Sequence, residues 1–243
     1  MTRFFVEQGS MCDDFLTLTG ENAAHAKVLR LKCGEQVVVC DGAGSECVCT
    51  ISDVSPSQIS LVVCNRQDSA AEASVKVSIY MAFAKGDKLE HVIQKATELG
   101  VYEIVAFPSS RCVSRPDGKS LAKKLERWQK IAFSAAEQSG RGYVPQVITV
   151  DSYKDALSRA SAADVSILFD ENERATTLKM KLQESLYKTV SILTGPEGGL
   201  DPAEVKQAQD AGLSVCTLGR RILRCETAPL CALSAIMYDS GEF

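Results

Sequence analysis

Two short segments of this chain place glycines where a strand pattern turns toward a helical one. The first is Leu193-Thr194-Gly195-Pro196-Glu197-Gly198-Gly199-Leu200. The second is Leu218-Gly219-Arg220-Arg221-Ile222-Leu223-Arg224-Cys225-Glu226-Thr227-Ala228. Glycine has no Cβ, so such turns let main-chain amides and carbonyls approach a flat ligand. Two of them close together in sequence describe a small-molecule pocket built mostly from main chain, with Glu197 able to reach polar groups of the ligand. Leu193, Leu218, Ile222 and Leu223 supply apolar walls or, equally, ordinary core packing. Arg224 and Glu226 alternate along the second segment, so both can face one pocket, or pair with each other and brace the loop. A Gly-x-Gly also stands at Gly42-Ala43-Gly44, but no third glycine and no helix follow it, and no Walker lysine occurs. A nucleotide-dependent oxidoreductase or phosphotransferase is therefore disfavoured.

Nucleophile and metal chemistry find little support. The chain has ten cysteines but no Cys-x-x-Cys pair, and only His25 and His91 offer imidazole, so no zinc-ligand spacing is present. Cys47 and Cys49 alternate around Val48, and Cys40 closes the run Val37-Val38-Val39, which reads as small buried hydrophobes in a reducing compartment. Cys225 lies in the second glycine segment with no histidine nearby in sequence to activate a thiol. The start of the chain lacks the basic and apolar runs of a signal peptide, and no apolar stretch approaches a membrane span, so a cytoplasmic location is expected.

The elements that must hold these residues fall into two groups. Residues 1–70 read as short strands (4–6, 15–18, 36–40, 46–51 and 59–64) with one helix over 21–31. The polar stretch from Gln67 to Ser74 has no periodicity and is the linker candidate. Residues 74–243 alternate strand and helix: strands at 75–83, 101–107, 165–169, 190–193 and 213–218, helices at 87–99 and 120–138, near 153, near 175, and from 227 to 238. Asp201-Pro202-Ala203-Glu204 carries an N-cap acid and a proline at the first helical position. Such alternation predicts an α/β fold, a parallel sheet with helices on both faces, and simple rules leave its path unthreaded.

Net charge is −4, which argues against nucleic acid if taken alone, but the distribution is uneven. Residues 1–72 carry five Lys or Arg against ten Asp or Glu, while residues 111–130 carry seven basic side chains against Asp117 and Glu126. A basic surface therefore belongs to the second part of the chain, or else that helix simply has a solvated face.

Gly195-Pro196-Glu197-Gly198-Gly199 together with Leu218-Gly219-x-x-Ile222-Leu223-Arg224-x-Glu226-Thr227-Ala228 resembles the RsmE family, SPOUT-class methyltransferases of small-subunit ribosomal RNA. The resemblance extends to Arg3-Phe4-Phe5, His25-x-x-Val28-Leu29-Arg30, Lys85-Gly86-Asp87-Lys88, Arg111-Cys112 and Glu137-Gln138-Ser139-Gly140-Arg141. Where the family usually has threonine this chain has Cys225, and Pro229 stands where the family has another residue. The resemblance implies a SPOUT α/β-knot (trefoil) domain preceded by a PUA-like β-barrel, and a homodimer. It implies S-adenosylmethionine as cofactor, bound by Leu193, Thr194, Gly195, Pro196, Glu197, Gly198, Gly199, Leu218, Gly219, Ile222, Leu223 and Thr227. It implies methylation of uridine N3, for which Arg224 and Glu226 have the right types, one to stabilise a uracil anion and one to take its proton. Arg3, Arg30, Lys85, Arg111, Arg115 and Arg141 become the candidates for contact with RNA, and the last helix offers Leu230, Leu233, Ile236 and Met237 to a partner subunit. The alternative is a non-catalytic RNA-binding or ribosome-assembly protein that keeps the fold.

Overall fold

The structure, a computed structural model, describes residues 1–116 and 118–243; Asp117, counted above among the charges, lies outside them. The chain divides into two compact units, Met1–Glu72 with Ala136–Val144, and Ala73–Ala135 with Pro145–Phe243. The first unit thus takes in a second segment, Ala136–Val144, beyond the 1–70 read from sequence. The end of α3 and the turn after it, Ala136–Val144, pack against the first unit through contacts distant in sequence, which no local pattern marks.

The first unit holds β1 (Thr2–Phe5), β2 (Phe15–Thr19), α1 (Gly20–Val28), β3 (Gln36–Cys40), β4 (Ser45–Val54) and β5 (Gln58–Asp68). Its five-stranded sheet runs β1-β3-β4-β5-β2, parallel only between β1 and β3. Val37 faces Cys49 and Val39 faces Cys47 across β3 and β4, so alternate positions of both strands enter one core with Phe4, Leu18, Ile51, Ile59 and Leu61. Cys40, Cys47 and Cys49 are buried as the pattern implied, and burial pushes the Cys49 thiol up to about 12. Helix α1 ends at Val28, earlier than expected, because Arg30 takes a left-handed φ of 57°. The Leu31 N–H then donates to the Ala26 carbonyl and the Arg30 N–H to that of Lys27, a closed helix end.

The second unit contains β6 (Lys76–Ala82), α2 (Lys88–Glu98), β7 (Glu103–Phe107), α3 (Gly118–Ser139, whose last residues belong to the first unit), β8 (Gln146–Thr149), α4 (Tyr153–Ala160) and β9 (Val165–Phe169). It continues through α5 (Leu178–Leu182), β10 (Thr189–Thr194), α6 (Pro202–Asp210), β11 (Ser214–Cys216) and α7 (Thr227–Asp239). Six strands form a wholly parallel sheet in the order β11-β9-β10-β6-β7-β8. Helices cover both faces, so central strands are apolar throughout: every residue of β7 is buried. Asp201 and Glu204 close a capping box around Pro202 at the start of α6, as their spacing predicts.

The path is not the sequential winding that general rules favour. Strand β10 enters between β9 and β6, and α7 later returns to pack on α2, β6 and β10. This is the order of the α/β-knot class that the resemblance implies. Leu233 and Ile236 of α7 are 0% exposed and Met237 is 1% exposed, all in the unit's own core. Each such side chain contributes about 1.5–3 kcal/mol by leaving water. These three residues are therefore not free for a partner subunit, and the exposed face of α7 is formed instead by Cys231, Ala235 and Tyr238.

Candidate active site

The sheet order brings three loops together. Leu168 of β9 lies level with Leu193 of β10 on one side and Val215 of β11 on the other, so all three strands end at one height. The carboxyl edge of a parallel sheet, where neighbouring strands lead into different loops, is where α/β proteins bind ligands. A cavity of about 310 Å³ opens there, within the range that holds a drug-sized molecule.

Its first wall is the loop after β10. Thr194, Gly195, Pro196, Glu197, Gly199 and Leu200 line the cavity. The Gly199 N–H donates to the Pro196 carbonyl at 3.0 Å, curling the loop onto itself. A Cβ on Gly195 would lie 3.0 Å from the Gly199 carbonyl carbon and 3.1 Å from the Leu200 nitrogen, so any larger residue would have to push that backbone aside. The Thr194 hydroxyl is buried against the cavity without a hydrogen-bond partner among the described residues. A buried polar atom left unpaired costs free energy and marks a place for a ligand group.

The second wall is the loop after β11: Thr217 through Cys225, with Ala228. Gly219 has φ +108° and open space where a Cβ would point. The Thr217 hydroxyl donates to the Gly219 carbonyl and accepts from its N–H, at 3.1 and 3.2 Å. Ile222 is 76% exposed at the mouth. The Arg224 carbonyl accepts from the Thr227 and Ala228 N–H groups, which starts α7.

A third wall was not read from sequence. Phe169, Asp170, Glu171, Asn172 and Arg174, in the loop after β9, complete the cavity together with Lys88 at the start of α2. That loop has no glycine motif; only the pairing of β9 between β10 and β11 places it here. Lys88 Nζ donates to Glu197 Oε1 at 2.9 Å, and the Lys85 N–H donates to the same oxygen at 2.8 Å. Burial pushes the Glu197 carboxyl up, but these donors outweigh it and hold the group below the usual carboxylate range.

Of the remaining residues inferred from sequence, Leu193 is fully buried in the core behind the cavity. Gly198, Glu226 and Thr227 flank the lining without joining it. Glu226 accepts from the Cys225 thiol at 3.2 Å. Its own backbone N–H holds it below the usual range, whereas burial and that bond to Glu226 push Cys225 up to about 12. Cys225 is therefore a thiol at neutral pH, not a nucleophilic thiolate.

The six basic candidates divide. Arg3 donates to Glu46 at 2.6 Å, and Arg141, only 4% exposed, is bound to Glu72 at 2.7 Å. Arg111 bridges the Gly198 carbonyl and Asp201, at 3.0 and 3.2 Å, and so props the first loop. Arg115 donates to the carbonyls of Ser109 and Ser110. Lys85 and Arg30 have exposed side chains. No helix among the described residues is long and apolar enough to cross a membrane.

A family model described as an RNA methyltransferase domain matches residues 71–237, and one described as an RNA methyltransferase PUA domain matches residues 18–64. The chain is 40% identical to ribosomal RNA small subunit methyltransferase E of Bacillus subtilis, over 99% of this chain and 97% of that protein. It is 31% identical to the protein of the same name from Mesomycoplasma hyopneumoniae, over 98% and 100%. Among solved structures, a ribosomal RNA small subunit methyltransferase E from Neisseria gonorrhoeae bound to S-adenosyl methionine is similar at a TM-score of 0.89. Its sequence is 32% identical, and the match covers 100% of this chain and 99% of that one. A putative methyltransferase from Legionella pneumophila in complex with the same cofactor is similar at a TM-score of 0.84 and 27% identity, covering 98% and 97%.

Proposed function

This chain belongs to the ribosomal RNA small subunit methyltransferase E family, and we propose from that premise that it transfers a methyl group from S-adenosylmethionine to N3 of a specific uridine in small-subunit (16S) ribosomal RNA. The observation that carries the reading is the cavity itself. Its two glycine loops, the unpaired Thr194 hydroxyl and the cation of Arg224 converge where three parallel strands end. Thr194 through Glu197, Gly199, Leu218, Gly219, Ile222 and Leu223 are the residues that would hold the cofactor, with Thr194 donating to it and main chain forming the walls. Once bound, the cofactor supplies an electrophilic methyl group on a sulfonium leaving group. A non-catalytic role is disfavoured, because it gives no reason to keep an unsatisfied hydroxyl and a backbone angle that needs glycine at Gly219 around an intact cavity.

Uridine N3 carries a proton, so the protein must favour its loss. Arg224 is exposed at the cavity and suits the carbonyl oxygens of a uracil anion. Glu226 remains a carboxylate at neutral pH and suits the proton. The N3 electron pair then forms the bond to the methyl carbon as the carbon–sulfur pair leaves with sulfur. Cys225 forms no adduct in this scheme and takes the place of a threonine hydroxyl.

The target base must be unstacked for N3 to be reached. Arg30, Lys85 and Lys123 on the exposed face of α3 are the groups free to hold phosphates, while Arg3, Arg111, Arg115, Arg127 and Arg141 are engaged by the protein's own groups. We place the enzyme in the cytoplasm, with ribosomal RNA, as a homodimer using the outer face of α7. Light scattering at micromolar concentration tests the dimer, and a monomeric mass with full activity removes it. Mass-spectrometric mapping of methylated uridine in ribosomal RNA, with and without the protein, tests the reaction. A methyl group found on another atom or base, or no difference between the two samples, overturns it.

A further inference from the structure

Four arginines and one lysine line the cavity; Arg174 is turned onto the Glu171 and Glu173 carbonyls of its own loop, and the lysine stands apart from the other three. Arg220, Arg221 and Arg224 are exposed in the loop after β11, each on a long side chain with several rotamers open to it. Lys88 instead starts α2, its side chain 29% exposed, fixed by the 2.9 Å bond to Glu197 Oε1. Glu197 is held in turn by the Lys85 N–H. A charge held before substrate arrives stabilises a developing anion better than one that must first be ordered. The ammonium group has three N–H donors, and Glu197 is its one hydrogen-bond partner among the described residues, so two donors remain. Its charge also acts on Cys225 and on Glu226, the carboxylate proposed above to take the proton.

We propose that Lys88, held by Glu197, is the fixed cation that stabilises the uracil ring after N3 loses its proton, with its two remaining N–H donors directed at a ring carbonyl oxygen. The inference rests on the N3-methylation reading. In the balanced step, the N3 proton passes to the Glu226 carboxylate, and the negative charge spreads onto the ring oxygens beside Lys88. The N3 pair then bonds to the methyl carbon while the carbon–sulfur pair goes to sulfur. Glu197 is a positioning residue here: it keeps the ammonium in place and touches no reacting atom.

The test uses the full chain with unmodified small-subunit ribosomal RNA and radiolabelled S-adenosylmethionine, in single turnovers across pH. Lys88→Met keeps the length of the stem and loses the charge. Its rate at neutral pH should fall by roughly a hundredfold and should climb with pH where the native enzyme is level, because more uridine is then ionised without help. Cofactor affinity by calorimetry should change by less than about threefold, since the lost group acts on the other substrate. Lys88→Arg should recover most of the rate and the native pH profile, and Glu197→Gln should give a smaller loss in the same direction. A loss independent of pH, an equal loss of cofactor affinity, or an unchanged rate overturns the proposal. If Lys88→Met does not fold, the Arg and Gln variants decide alone, and a folded Lys88→Arg enzyme without the native pH profile also overturns it. Failure of the native enzyme to methylate N3 would sink the underlying reading instead, so the two failures are distinct.

Discussion

The loop after β10 is packed against itself, whereas the loop after β11 stands in the open. In the first, a Cβ on Gly195 would come within 3.1 Å of its own loop's backbone, Arg111 props Gly198, and Lys88 ties Glu197 to α2. In the second, no heavy atom of the described residues beyond its chain neighbours stands within 4 Å of the place where a Cβ on Gly219 would be, and Ile222 and Arg224 face solvent. The same residue type thus serves two ends: close packing in one wall, an otherwise forbidden backbone angle in the other. A rigid wall suits a cofactor of fixed shape, and an open one suits a macromolecule that must arrive and leave.

If that division holds, the largest effect should come from the open loop and fall on turnover. Arg224→Ala should slow single-turnover methylation by about two to three orders of magnitude with little change in cofactor affinity by calorimetry. A loss confined to affinity would assign Arg224 to the cofactor wall. The packed loop should behave in the opposite way. Gly195→Ala forces a carbon into space already filled, at about 1–3 kcal/mol, so S-adenosylmethionine binding should weaken by more than about tenfold. Gly198→Ala is the control, because its Cβ would meet Arg111 at an ordinary 3.7 Å. Equal effects at Gly195 and Gly198 would dissolve the distinction.

Gly219→Ala should cost about 1–2 kcal/mol through backbone strain alone, seen as a lower chemical-unfolding midpoint. Cys225→Thr should leave the rate within about twofold, since a thiol pushed up to about 12 attacks nothing at neutral pH; a collapse in rate would reinstate it as a nucleophile. The smallest effect is on stability against pH. Glu46 and Glu197 are each pushed up by burial, yet their donors, Arg3 and Gln67 for one and Lys88 and Lys85 for the other, bring them below the ordinary carboxylate value. Stability from depressed carboxylates is present above their unfolded pKa and lost as pH falls through the folded one. Melting temperature should therefore drop on acidification below about pH 4. Glu197→Gln should flatten that drop slightly, and an identical curve would mean the pair is not coupled to folding.

Much of this was legible in residue order, and the misses have physical causes. The glycine segments announced two walls because turns of that kind leave a compositional mark. The alternation of Val37, Val39, Cys47 and Cys49 announced a sheet buried on one face. The third wall left no mark: Phe169 to Arg174 is polar, short and glycine-free, and reaches the cavity only through strand order, which no local pattern encodes. Lys88 was visible as part of a motif, but its role depends on Glu197, 109 residues away. Leu233, Ile236 and Met237 read as surplus apolar surface because a helix pressed between a sheet and another helix is apolar on more than one side. Strand β8 was missed, and β11 proved only three residues long, since pairing partners rather than composition sustain strands that short.

The carboxylate of Glu72 gathers three groups from a distant turn: the Arg141 guanidinium, the Gly142 N–H and the Tyr143 N–H. Val144 and Ala136 add to the same small core as Phe5 and Val38. During synthesis the first seventy-two residues emerge well before these partners do. Until residue 144 has left the ribosome, Glu72 lacks its donors and one corner of the first unit has no cover. The order of translation thus imposes a wait on a unit that stands first in the chain, and its closure is a long-range event that loop entropy makes slow. The chain would then complete its first unit only after the opening segment of the second, Ala73–Ala135, has been made.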